Sequence, residues 1–172
     1  MIRQRRVGSA PAVQASATQL PFRDAAFEAA LAILTVHHWP DPAGGLGELA
    51  RVARGRIVIL TCDPATSGFW LVDDYFPEIV EIDRPNFPSI EEFSRAFGRV
   101  DIYTLPIRHD CVDGFLGAYW RRPHAYLDGS VRSAISTVFS FPAGDARRAD
   151  RMAPVCLIVD ALPLETGSAT EG

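Results

Sequence analysis

The side chains able to do chemistry in this 172-residue chain fall into a few short groups. Adjacent histidines, His37 and His38, close a long apolar run. An imidazole titrates near neutral pH and can take a proton from a hydroxyl or amine nucleophile, which makes His38 a candidate base. The same pair also has a purely structural reading, in which His37 contributes only backbone. His109, Asp110 and Cys111 stand together with Asp113 close by, but a structural metal site wants four ligands at recognisable spacing, and no metal is expected. Trp120-Arg121-Arg122 offers an arginine fork to an anion, with a solvated helix end as the plainer reading. Cys62, Cys111 and Cys156 are widely separated. Such an odd, scattered set makes neither a disulfide framework nor a metal knuckle, and it fits a reducing cytoplasm.

Regular elements must position these groups. Phe27 to Val36 is a nearly continuous apolar run, read as a strand buried on both faces. Asp41 can cap the next segment, Pro42 suits a first helical position, and Leu46, Leu49, Val52 and Ala53 recur at helical spacing before Gly55. Ile57 to Leu60 is a second strand, so strand, helix and strand follow one another as a parallel crossover unit. Residues 64–88 are aromatic and Pro-rich and look like an inserted cap. Ser89 and Glu92 spell a capping box for a helix ended by Gly98. Arg99 to Ile107 alternates as a strand, Val131 to Phe139 reads as helical, and Pro154 to Leu162 closes the set as a last strand. The sum is an α/β fold with a mostly parallel sheet, flanking helices and a helical, aromatic insertion, in one domain over 1–164 with a frayed tail at 165–172.

Composition narrows the function. Hydrophobic residues make up 48% and charged residues 22%, the balance of a globular chain. A formal net charge of -4 leaves no basic footprint for nucleic acid or an anionic membrane. All 17 basic residues are arginine. No apolar run approaches the roughly 20 residues that span a bilayer, and the basic start has no apolar segment behind it.

The stretch from Gln14 to Asp63 resembles the middle of the type 11 methyltransferase family, within the Rossmann-like methyltransferases that use S-adenosylmethionine. Its anchors come in the family's order: Leu20-Pro21-Phe22, the pair Phe27-Glu28 opening the central strand, His37-His38 closing it, and Glu48-x-x-Arg51-Val52 on the helix. The resemblance implies an enzyme that transfers a methyl group from S-adenosylmethionine to a small-molecule acceptor. It places the cofactor across the carboxyl ends of the strands. Ser16, Ala17 and Thr18 would then contact the adenine, with a hydroxyl at Ser16 where the family carries an acid. Val36 would lie beside the methionine part, with His37 and His38 facing the substrate. Trp70, Asp73, Asp74, Tyr75 and Phe76 are expected to line an acceptor site in the insertion.

The family's first strand, its glycine-rich turn and the acid ending its second strand have no counterpart here, so the chain reads as N-terminally truncated and short of about half a cofactor site. A strand left without its neighbour should show an open, apolar edge. A second reading follows: a non-catalytic module that binds a small ligand or a protein through the aromatic insertion. A dehydrogenase-like Rossmann protein is a poorer third reading, since neither a GxGxxG turn nor any lysine is found in the sequence.

Overall fold

The structure, a computed structural model, describes residues 8, 10–64, 66, 68–135 and 154–164. The expected tail at 165–172 and most of the helix expected over 131–139 lie outside these residues. Four described strands form one sheet: β1 (Ala30–Ile33), β2 (Ile57–Thr61), β3 (Val100–Pro106) and β4 (Val155–Ala161), in the order β1-β2-β4-β3. β1 runs parallel to β2, and β4 is antiparallel to both β2 and β3. Three strands therefore share one direction and β4 is the reversed member between them. The sheet is mixed.

Local chemistry sets the element ends much as expected. Asp41 accepts from the Gly44 N–H and starts helix α1 (Pro42–Val52), with proline at its first position. α2 (Trp70–Tyr75) and α3 (Glu78–Asp83) lie in the insertion. The Ser89–Glu92 capping box is fully formed at the start of α4 (Ile90–Phe97), and Gly98, at φ 77°, ends it in the left-handed region where glycine is at ease. The last helix among the described residues, α5 (Gly129–Ala134), starts on Asp128.

Two apolar clusters hold these parts. Ala32, Ile57, Ile59 and Val159 of the sheet meet Leu46 of α1 and Phe93 and Phe97 of α4 in the first. Trp70, Leu71, Phe76, Ile79, Tyr126 and Ile135 make the second.

The first strand corrects the sequence expectation. Only Ala30–Ile33 is extended, and Leu31 and Ile33 are 63% and 54% exposed while Ala32 is buried. A strand alternates its faces, so the helices α1 and α4 cover one face of β1 and no described element covers the other. β1 also ends the described sheet, and its apolar edge is open.

Candidate functional site

The strand stops before the histidines because the backbone turns. Leu34 adopts φ 46°, rare for a residue with a side chain, while its N–H still donates to the Leu60 carbonyl at 2.8 Å. Val36–His38 then form a 3₁₀ turn rather than strand. The two imidazoles touch, with ring centroids 3.9 Å apart, and face different surroundings. His37 stacks on Phe87 at 4.4 Å, nearly parallel at 14°. Its Nδ1 is buried with no hydrogen-bond partner, and burial together with the neighbouring His38 lowers its pKa to about 4. His37 is therefore a neutral ring at physiological pH. His38 is exposed and lines a hollow of about 490 Å³ with Ser16, Ala17, Ile33, Thr35 and Trp39.

One wall of the hollow is set by two of the sequence anchors, Leu20 to Phe22 and Glu48 with Arg51, which form one clamp. Glu48 and Arg51 project from α1. Glu48 accepts the Leu20 N–H at 2.7 Å and pairs with Arg51 at 2.6 Å. Arg51 donates to the Phe22 and Leu20 carbonyls and to Asp24. The Arg51 hydrogen bond, then that of the Leu20 backbone, holds the Glu48 carboxyl down at about 2. The segment at 16–22 is thus fixed against α1, which sets one wall. Trp39 lies so close to α1 that a Cβ on Gly45 would sit 2.3 Å from its ring, so glycine is required there.

Within that segment Ser16 Oγ and Thr18 Oγ1 are 2.9 Å apart, and the Gln19 N–H returns to the Ser16 carbonyl. Ser16 and Ala17 line the hollow, whereas Thr18 turns its methyl toward α1 at Gly44. Val36 is fully buried in the helix-side cluster, leaving only its backbone near the histidines. Leu31, Trp39 and Leu49, which also line the hollow, were not singled out by sequence; the spacing of apolar positions marks them equally well as core.

A second, apolar cavity of about 170 Å³ lies beyond the end of β2. Cys62, Asp63, Phe69, Val72, Phe87 and Phe115 are among its walls. Phe87 is the ring on which His37 stacks, so the pair touches a wall residue of the cavity through His37 and lines the hollow through His38. The insertion does contribute walls, but through other residues than those expected. Trp70 is 3% exposed and donates from Nε1 to the Trp120 carbonyl at 3.0 Å, and Tyr75 packs on it edge to face. Both rings build the second cluster. Asp73 accepts the Gly68 N–H, and Asp74 lies on the exposed side of α2. Phe76 is buried beside Trp70.

Several polar groups of residues 108–122 are engaged locally. Arg108 pairs with Asp110, and Arg122 donates to the Cys111 and Ala118 carbonyls while lying over Tyr119. Arg121 lies over the Trp120 ring. The described residues contain no group of three or more candidate metal ligands, and none of their helices is long and apolar enough to cross a membrane.

Comparison with known proteins follows the same lines. The methyltransferase domain family matches residues 1–59. A crystal structure of a protein from Anabaena variabilis, assigned as a methyltransferase from an antibiotic biosynthesis pathway, superposes with a TM-score of 0.68 at 23% identity, covering 87% of this chain and 72% of that one. An S-adenosylmethionine-dependent methyltransferase from Thermotoga maritima is similar at a TM-score of 0.49 and 17% identity, and this chain spans 62% of its length. No curated protein matches the chain. Residues 1–59 thus carry the pattern of a methyltransferase domain, and the described residues share the Rossmann-like fold of the Anabaena protein.

Proposed function

We propose that this protein takes part in methyl transfer from S-adenosylmethionine to a small apolar acceptor, with the hollow on the donor side and the cavity on the acceptor side. One observation carries the reading: the His37–His38 pair is in contact with the linings of both spaces, His38 lining the first and His37 stacked on a wall residue of the second. The cofactor supplies a methyl group on a positively charged sulfur. The hollow suits its adenosine end, since Ser16 offers a hydroxyl, Ala17 leaves room, and Leu31, Ile33 and Leu49 give apolar surface to a flat ring. Thr18 orients Ser16 by their shared hydrogen bond, and Val36 contributes through its backbone. Among the described residues, no carboxylate lines this hollow to take ribose hydroxyls or an ammonium group.

His38 holds the proton released by an acceptor hydroxyl or amine, being the exposed imidazole of the pair. His37, kept neutral by burial, orients its neighbour and presents no charge to the apolar side. A cavity of about 170 Å³ is the size that holds one aromatic ring. Its apolar walls exclude water from such a ring. Trp70 and Tyr75 stiffen the insertion that forms part of the wall, with Asp74 at its exposed side. The reading places the protein in the cytoplasm, with a small molecule and not nucleic acid or membrane as partner.

A hollow with no carboxylate among its described lining residues favours a second reading, a ligand-binding module without catalysis. Calorimetry with S-adenosylmethionine, followed by transfer of a labelled methyl group to single-ring phenols and amines, separates the two. Micromolar cofactor binding and a His38-dependent product are the expected result. Binding of single-ring compounds with no cofactor heat would favour the module and overturn the catalytic reading.

A further inference from the structure

Cys62 and Cys156 are 94 residues apart in sequence, yet their Sγ atoms lie 3.4 Å from each other. The sheet register brings them together. Thr61 faces Leu157 across the antiparallel pair β2–β4, so one further step along each strand sets Cys62 opposite Cys156. Side chains alternate along a strand, which puts both sulfurs on the face opposite Ile57, Ile59 and Thr61. That is the face bearing the apolar cavity. Cys62 lines it, with Asp63 and Pro64 following from β2 and Pro154 and Val155 leading into β4. The sequence reading of three unrelated thiols is thereby corrected: two are a pair, and Cys111 stands elsewhere with its S–H turned to the Asp113 carbonyl.

We propose that Cys62 and Cys156 form a reversible disulfide under peroxide, and that the bond narrows the apolar cavity. Directly opposed residues on antiparallel strands hold their Cβ atoms about 4.5–5.5 Å apart, wider than the roughly 3.8 Å a relaxed disulfide adopts. Forming the bond therefore draws the end of β2 toward the start of β4, and with them the cavity walls each strand carries. A disulfide strained in this way is easily reduced again, as befits a regulatory bond inside a reducing cell.

The chemistry balances with hydrogen peroxide as oxidant. One sulfur attacks a peroxide oxygen, an S–O bond forms as the O–O bond breaks, and a first water leaves. The second sulfur displaces that oxygen, forming the S–S bond, and the oxygen departs as a second water with the remaining thiol proton. Peroxide, little larger than water, reaches the pair through the cavity at Cys62, since Cys156 itself is 1% exposed.

The test uses the full chain carrying Cys111→Ser, which leaves the pair as its remaining thiols. After brief peroxide treatment the intact mass should fall by two hydrogens. Cleavage after arginine should yield a cross-linked product joining the peptide of Cys62 to that of Cys156, and dithiothreitol should release it. Phenol, used as a single-ring probe and followed by calorimetry, should bind severalfold more weakly to the oxidised chain and recover on reduction, a readout that needs no further variant. Sulfinic or sulfonic products on Cys62 without the cross-link would overturn the proposal. A cross-link with unchanged probe binding would overturn its effect on the cavity. None of these outcomes depends on methyl transfer.

Discussion

The unit built from β1, α1 and β2 and the aromatic insertion that follows it are stabilised by different contacts. In the first, aliphatic side chains at strand and helix spacing close the core, and a charged clamp from Glu48 and Arg51 ties down the incoming segment. In the second, rings meet edge to face: Trp70 with Tyr126 at 6.2 Å and Tyr119 with Tyr126 at 5.7 Å. Its partners come from distant parts of the chain, as when Trp70 donates to Trp120. One region is specified by local periodicity and the other by long-range fit. The hollow belongs to the first and most of the cavity to the second, so the two can be disturbed separately.

The largest effect is expected in the first region. Phe93 is 2% exposed and sits where α4 meets the sheet. Phe93→Ala should cost about 3–5 kcal/mol in urea unfolding, through lost burial and the space left behind. Loss of the cavity alone, with the sheet core still cooperative, would break the proposed division.

Gly45→Ala is next. The added methyl would fall 2.3 Å from the Trp39 ring, which is too rigid to yield at its tip. Either α1 or the ring must shift, at about 1–3 kcal/mol. Because Trp39 lines the hollow, ligand binding there should weaken while probe binding in the apolar cavity persists. Equal weakening of both would show that the two spaces move as one.

Acid separates the histidine pair from the clamp. His37 has a folded pKa of about 4 against an ordinary 6.5, so the unfolded chain binds a proton that the folded chain refuses between those values. Its contribution to stability is complete above pH 6.5 and is lost as pH falls from 6.5 to 4. Discounted for a half-exposed ring, this is about 1–2 kcal/mol. Glu48 has a folded pKa of about 2 against 4.5, so its contribution is present above pH 4.5 and disappears as pH falls from there to 2. Thermal melts across pH should show two successive losses. His37→Phe, which preserves the stack on Phe87, should remove the upper one, and Glu48→Gln the lower one.

The legibility of the molecule follows the same division. The cap at Asp41, the box at Ser89–Glu92 and the apolar runs of β2 and β4 rest on neighbours in sequence, and each was readable. The clamp was visible only as anchors in order; that Glu48 and Arg51 physically hold Leu20 and Phe22 needs the fold. β1 misled, because a continuous apolar run reads as buried on both faces, while Leu31 and Ile33 have no described layer above them. The histidines are legible as an adjacent pair, but their unequal environments depend on Phe87, some fifty residues on. Trp70 reads from sequence as a cavity wall, whereas it is the adjacent Phe69 that lines the cavity. A short helix in an aromatic stretch gives no phase by which to choose between adjacent rings, and a packing partner near residue 120 decides it. The cysteine pair was invisible for the same reason, since strand register is not written in spacing along the chain.

The smallest predicted effect tests whether the insertion depends on that single distant bond. Trp70→Phe keeps an aromatic body in the second cluster and removes the N–H that meets the Trp120 carbonyl. An accepting carbonyl left unpaired in a half-buried site costs about 1–2 kcal/mol. Trp70 lies beside Phe69 and Val72, which face the cavity, so the loss should loosen the cavity wall more than the sheet. Amide exchange should then rise in residues 69–76 and 116–127 with that of β2 and β4 unchanged. Uniform acceleration throughout the chain would mean that the insertion is not an independent unit, and that its ring cluster extends the same cooperative core as Phe93.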